Sequence, residues 1–378
     1  MSKTKIPEKI IKQLLVKSAG RCQYRGCNKS LYHDLVTKRN FNQSYIAHVV
    51  SDEATGPRSD SSRSKLLSKD LSNLMLLCDT HHRLIDLIDI DGHSEQALLT
   101  MKREHEERIE RLTAIAPDME SHILIYKANV GLNTPEISYE SVREYLLPTH
   151  YPATSSTIDL GMSNSPQRDK NASFWRTELE ALESNFNDHL RQRIRKGEIR
   201  HFSIFAFAPM PLLMKLGTLI NDIYNAEIHQ PVRNPKTWNL SDKGKSIKYQ
   251  IIEPKEKHAI VSLNISLSAT INNERITNVL GNDCSIYTIT IDEPFNDFLK
   301  AKKHLQDFSI EIRELLNYIK SKYNAQTPLH IFPAMPIATA IEFGRIWMPK
   351  ADMPLIIYDE NIINSGFFKA FEISNINQ

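Results

Sequence analysis

The residues best able to do chemistry in this chain lie in its first quarter, and their spacing is that of metal ligands. Cys22 and Cys27 are separated by four residues, and Cys78-Asp-Thr-His81-His82 follows about fifty positions later, with His48 and Asn73 between. Zinc takes four soft or borderline ligands at fixed reach, and Cys22, Cys27, Cys78 and His81 make a Cys3His set suited to a structural Zn2+. Gly26, inside Cys22-Gln-Tyr-Arg-Gly-Cys27, lets the backbone turn toward the metal. The competing reading, small buried hydrophobes and a surface histidine, has to place three of only four cysteines in this pattern by accident. A disulfide framework fits less well, because there is no signal peptide and the cysteines are too spread for a dense secreted scaffold. A cytoplasmic location is the expectation. Cys284 stands alone in a strand-like stretch and reads as core.

His48, Asn73 and His82 are left over. Hydrolysis of a phosphodiester needs an activated water in line with the leaving oxygen and a cation to stabilise the charge that builds on phosphate. One histidine and one metal suffice. Ser44-Tyr-Ile-Ala-His48 alternates and is rich in strand formers, so His48 should end a short strand and act as general base. Ser72 to Asp86 reads as a turn followed by a helix that carries His82, as ligand of a divalent cation, to face His48. Asn73 is neither acid nor base, but its amide can fix the loop bearing the base.

From about Ile6 to Leu112 the chain resembles the HNH (ββα-metal) endonucleases. The resemblance rests on Cys22-x4-Cys27, Ala47-His48-Val49, Asn73-Leu-Met-Leu-Leu-Cys78-x2-His81-His82 and Asp86. It implies an α+β ββα-metal fold with structural zinc, Mg2+ or a similar divalent cation at His82, and double-stranded DNA as substrate. Two positions depart from the pattern. His81 stands where a fourth cysteine is common, and Ala47 stands where many members place an acidic metal ligand. Asp70 and Asp86 are the candidates for the second cation ligand; their other roles would be a helix cap and a salt-bridged side chain.

These residues need elements to hold them. The chain has 378 residues, more than one nuclease module requires, so domains over 1–116 and 117–378 are expected. No apolar run approaches the length of a membrane span, and the net charge of +2 gives no overall basic signature. Residues 1–69 nevertheless hold about fourteen Lys and Arg against about five Asp and Glu, an excess suited to phosphate contact. Gly56 to Lys65 reads as a mobile basic loop beside the site, for DNA contact or for solubility. Helices are expected from Ile6 to Gly20, Ser94 to Ala116, Ser138 to Leu147 and Phe174 to Lys196, with a buried strand over His122 to Val130. A mobile loop is expected at about 149–172.

Beyond the last helix the sequence repeats. His201 to Gly217, containing Ala208-Pro209-Met210-Pro211, aligns with His330 to Gly344, containing Ala334-Met335-Pro336. Each copy reads as a strand, a Met-Pro turn, an apolar helix and a further strand, which implies parallel pairing and a two-lobed α/β, Rossmann-like fold. The methionines read as packing residues, while the turns lie where open α/β sheets bind ligands. From about His122 onward the chain resembles SAVED domains, fused pairs of CARF-like sensor units of bacterial CBASS antiphage systems. The resemblance implies a cyclic di- or trinucleotide activator, a partner cyclic-nucleotide synthase and homo-oligomer assembly that licenses DNA cleavage. Candidate ligand-binding residues are Pro209, Met210, Pro211, Met335 and Pro336, with Arg233 and Trp238 in a polar loop. The Trp238 ring is either a stacking platform for a base or half-buried against its loop. The alternatives are a restriction-type HNH nuclease whose C-terminal part reads modified DNA, and a sensor on a degenerate HNH scaffold.

Overall fold

In the computed structural model, residues 4–34, 36–162, 165–361 and 366–374 are described. The chain divides into two units, Met1–Ala116 and Pro117–Gln378. No helix among the described residues is long and apolar enough to cross a membrane.

The first unit is built around one antiparallel strand pair, Ser44–His48 against Leu74–Cys78, with His48 opposite Leu74 and Ser44 opposite Cys78. Leu74–Cys78 corrects the expectation of a turn leading into a helix. All five of its residues are buried, so the run has no alternation by which sequence could tell a strand from a helix. Pairing with Ser44–His48 decides it. The helix starts only at Asp79, runs to Arg83 and continues through a wider turn at Leu84–Ile88. Helices Glu8–Ser18 and Glu95–Thr113 flank the pair; the first ends with Ala19 and Gly20 both left-handed, and the second is capped by Ser94. Leu14, Leu31, Leu74–Leu77, Ile85 and Leu98 form the core between them.

The second unit has two lobes. In one, Tyr151–Pro152, Glu120–Lys127, Phe202–Phe207 and Ala226–His229 lie in that order, all parallel, with Ile158–Asp159 also beside Glu120–Lys127. In the other, the parallel strands Leu355–Asn361, Leu329–Ala334, Ile260–Ser266 and Cys284–Thr290 are flanked by antiparallel edge strands Gly366–Ile373 and Gln250–Ile252. The repeat read from sequence takes the same form in both lobes. Phe202–Phe207 leads through helix Met210–Ile220 to Ala226–His229, and Leu329–Ala334 leads through helix Ile337–Ile346 to Leu355–Asn361.

Those two helices cross at Gly217 and Gly344. A Cβ on Gly217 would lie 2.0 Å from the Ile341 carbonyl oxygen, and one on Gly344 would lie 2.0 Å from that of Met214. Only hydrogen fits there, so the two repeat glycines fix how closely the lobes approach. Helix Ala172–Phe186 runs on through a wider turn at Asn187–Arg191 to Gln192–Arg195, burying Phe174, Trp175, Leu182 and Phe186.

The segment read as a mobile loop at about 149–172 contains the strands Tyr151–Pro152 and Ile158–Asp159, and Asn129 donates to the Ser165 and Gln167 carbonyls. Ser163 and Asn164 lie outside the described residues. Sequence could not find these strands because each is two residues long and is held by pairing with Glu120–Lys127.

Candidate functional site

The knuckle, the end of the second strand and the following helix bring Cys22, Cys27, Cys78 and His81 together, with all four ligating atoms within 4.8 Å of one another. Gly26, at φ +82°, makes the turn between the two knuckle cysteines. The Cys78 backbone N–H points at the Cys22 sulfur, 3.4 Å away, and His81 Nδ1 lies 3.1 Å from Cys78 Sγ and 3.7 Å from Cys22 Sγ. Tyr24 stacks flat on the His81 ring at 4.1 Å and gives its hydroxyl a partner in His93 Nε2. The ring is therefore held with Nδ1 inward. Burial pushes the Cys22 thiol up to about 12, so forming the thiolate that ligation requires calls for a nearby cation. Three thiols and one imidazole nitrogen in this volume fit a tetrahedral metal ion.

Across the strand pair lies a cleft of about 360 Å³ lined by Tyr45, His48, Asp52, Asp79, His82 and Asp86 among others. His48, at the strand end, has its side chain almost fully buried. Its Nε2 lies 2.9 Å from the Ser68 carbonyl oxygen. A carbonyl only accepts, so Nε2 donates and the neutral ring keeps its lone pair on Nδ1. Asn73 ties down the chain beyond it: Val50 N–H donates to Asn73 Oδ1 at 2.8 Å, and Asn73 Nδ2 donates to the Val50 and Leu67 carbonyls. The amide thus spans the segment that follows His48.

His82 stacks on Tyr45 at 5.0 Å and lies 3.4 Å from Asp86 Oδ2. Burial pushes its imidazole down toward the neutral, ligating form. Of the two carboxylates expected beside it, only Asp86 lines the cleft. Asp70 instead accepts from the Ser72 backbone N–H and hydroxyl, the capping role. Asp86 also accepts from Arg58 Nη2 at 2.7 Å.

The basic loop is tied down at two of its arginines. Arg58 donates to the Val49 and Ile85 carbonyls as well as to Asp86, and Arg63 pairs with Asp60 and Glu95. Composition marked this stretch as basic, but not that two of its charges are held by the protein itself. Sequence reasoning also missed Asp52: its Oδ1 lies 3.8 Å from His48 Nδ1, with both side chains about 5% exposed. It follows the strand end in a turn, and no spacing rule predicts which way such a residue points.

In the second unit the two Met-Pro turns meet, with the Met335 backbone N–H 3.3 Å from the Met210 sulfur. Pro209, Pro211, Met335 and Pro336 are buried. Their side chains pack where the turns meet, and Met210 is half-buried against the same core. Arg233 is exposed, and Trp238 is half-buried, edge-on to Phe205 at 5.4 Å. A cavity of about 520 Å³ lies elsewhere in this unit, between strand Ala226–His229 and the helices Lys302–Lys322 and Ile337–Ile346. Glu227, His229, Lys302 and Arg345 line it, and burial pushes the His229 imidazole down to about 4. Sequence gave no sign of this cavity, since its walls come from three separate elements.

A family model described as the SMODS-associated and fused to various effectors sensor domain, SAVED, matches residues 182–373. No curated protein matches the chain. Among solved structures, an Acinetobacter baumannii Cap4 SAVED/CARF-domain containing receptor with the cyclic trinucleotide 2'3'3'-cAAA is 15% identical, with a TM-score of 0.44 over 83% of this chain and 67% of that one. The same receptor with 3'3'3'-cAAA is 13% identical, with a TM-score of 0.44 over 83% and 67%. A Moraxella osloensis Cap4 SAVED/CARF-domain containing receptor is 14% identical, with a TM-score of 0.43 over 76% and 63%.

Proposed function

The chain belongs to the SAVED family of sensor domains fused to effectors, and from that premise we propose that it is a CBASS-type antiphage effector endonuclease. In this reading a cyclic di- or trinucleotide, made by a partner synthase, binds the second unit and drives homo-oligomer assembly. The first unit then hydrolyses double-stranded DNA. Trp238, flanked by Arg233 and Lys236, offers the ring on which a base of the activator stacks.

The observation that carries the nuclease reading is the locked tautomer of His48 in a cleft shared with His82. Nε2 donates to the Ser68 carbonyl, so Nδ1 faces the cleft as an acceptor. From there it takes a proton from water as that water attacks phosphorus. Asn73 keeps the base in place through the Val50 backbone. His82 and Asp86 Oδ2 would hold the Mg2+, with Arg58 fixing the other carboxylate oxygen. Mg2+ supplies charge stabilisation at the phosphate when bound. Cys22, Cys27, Cys78 and His81 would hold a structural Zn2+, which joins the knuckle to the strand pair and its helix.

The test is to incubate purified protein with plasmid and Mg2+, with and without a panel of cyclic nucleotides, while following mass by light scattering. Cleavage is expected only with one activator and only in the assembled form. A ligand must favour the assembled state to shift that equilibrium, so activity should rise steeply with protein concentration. Cutting at full rate by a ligand-free monomer would favour the restriction-type reading.

A further inference from the structure

We propose that Asp52 is a water-positioning residue: with His48 it holds the attacking water, its carboxylate taking one hydrogen of that water and His48 Nδ1 the other. The inference rests on the nuclease reading of the cleft. Three observations lead to it. First, the Ser68 carbonyl takes the Nε2 hydrogen of His48, so in the neutral ring Nδ1 is the acceptor. Second, Asp52 Oδ1 lies 3.8 Å from that nitrogen, too far for a direct hydrogen bond. A single water about 2.8 Å from each atom fits at the apex of that triangle. Third, both side chains line the same cleft as His82 and Asp86, so a water held between them shares that space with a phosphate on the cation.

Two acceptors on one water orient both of its hydrogens toward the protein and leave a lone pair facing outward, toward the scissile phosphate. In the step itself, a water O–H bond breaks and its proton goes to His48 Nδ1. The oxygen forms the new bond to phosphorus, and the opposite P–O bond breaks with its electron pair on the departing sugar oxygen, which takes a proton from solvent. The imidazolium so formed lies beside the Asp52 carboxylate, whose negative charge stabilises it in a part of the cleft nearly closed to solvent. A carboxylate four residues after the base would do this work even though residue 47 is alanine, because it acts on the water and not on the cation.

The experiment uses the full chain with its activator and compares Asp52→Asn and Asp52→Glu with the unaltered protein. It measures kcat, KM for DNA, zinc content, thermal melting and Mn2+ affinity by electron paramagnetic resonance. Asp52→Asn keeps the shape but turns part of the acceptor into a donor, and is expected to lower kcat about 100-fold with KM and Mn2+ affinity within about twofold. Asp52→Glu should recover part of kcat. The idea is overturned if Asp52→Asn cleaves within about threefold of the unaltered protein, or if Mn2+ affinity falls with kcat, which would make Asp52 a cation ligand. A Glu variant no better than the Asn variant overturns it as well, whatever the melting temperature of either. If the unaltered protein binds Mn2+ yet cleaves no DNA with any activator, the nuclease reading itself falls; the inference alone falls when that protein cleaves and the variants match it.

Discussion

The two units put their specificity in different places. In Met1–Ala116 the defining features are side-chain atoms: four ligating groups within 4.8 Å, a histidine locked by one carbonyl, an amide spanning a loop. In Pro117–Gln378 the defining features are backbone shapes: parallel strands, crossover helices, and two glycines where helices touch. The contrast teaches what each unit tolerates. Replacing one sulfur should ruin the first, whereas the second should be most sensitive to changes of volume where its lobes meet.

The largest effect expected is that of Cys78→Ser. Structural zinc contributes on the order of 10 kcal/mol to folding in small metal domains, so bound zinc should fall and the first unit should unfold while the second keeps its own transition. Zinc analysis with limited proteolysis reads both. An unchanged zinc content would sink the Cys3His assignment and, with it, the contrast.

His48→Ala comes next: in the proposed nuclease reading it should lose about 100- to 10,000-fold in cleavage with no change in zinc content or activator binding, because the proposed base is not among the four residues proposed to hold zinc. Near-normal cleavage would move the catalytic centre elsewhere.

Gly217→Ala should lower the stability of the second unit by about 1–3 kcal/mol, through the contact its Cβ would make with the Ile341 carbonyl. Gly344→Ala should do the same, and the double variant should lose less than the sum, since both relieve into one crossing. Chemical denaturation measures this, and additive losses would show that the two glycines do not share a contact. At the same scale, Trp238→Ala should weaken activator binding by about 1–3 kcal/mol if its ring stacks a base, without touching the His48 cleft, so high ligand should rescue the proposed cleavage. Unchanged binding with a lower melting temperature would leave Trp238 as packing against Phe205.

The smallest effect concerns Glu178, buried in the second unit with one carboxylate oxygen that has no hydrogen-bond partner among the described residues. Burial raises its carboxyl group. A raised acid holds its proton more tightly folded than unfolded, so its contribution is complete below the ordinary carboxyl range, about 4.3, and is lost as pH rises from there toward the folded value. Glu178→Gln removes that loss, and its advantage in urea denaturation should therefore be greater at pH 8 than at pH 5. A pH-independent difference would contradict the assignment.

Much of both units was legible in the sequence for a physical reason. Metal-type ligands are rare residues with strict spacing, so residue type and interval were enough to group Cys22, Cys27, Cys78 and His81, and a strand ending at His48 followed from alternation alone. The repeat was legible because each lobe needs the same strand, turn and apolar helix. Tertiary structure decided what depends on partners distant in the chain. Leu74–Cys78 became a strand only by pairing with Ser44–His48, since burial on both faces erases the period. Asp70 went to a cap, Arg58 turned inward to Asp86, and Asp52 came to face His48, because each of these polar groups took a partner that the folded backbone brought near. The Met-Pro turns, which sequence placed at strand ends, came to meet each other across the two lobes, a contact no interval in the sequence could give. Residue type and spacing determined which groups can do chemistry; the geometry of elements far apart in sequence decided which of them face one another.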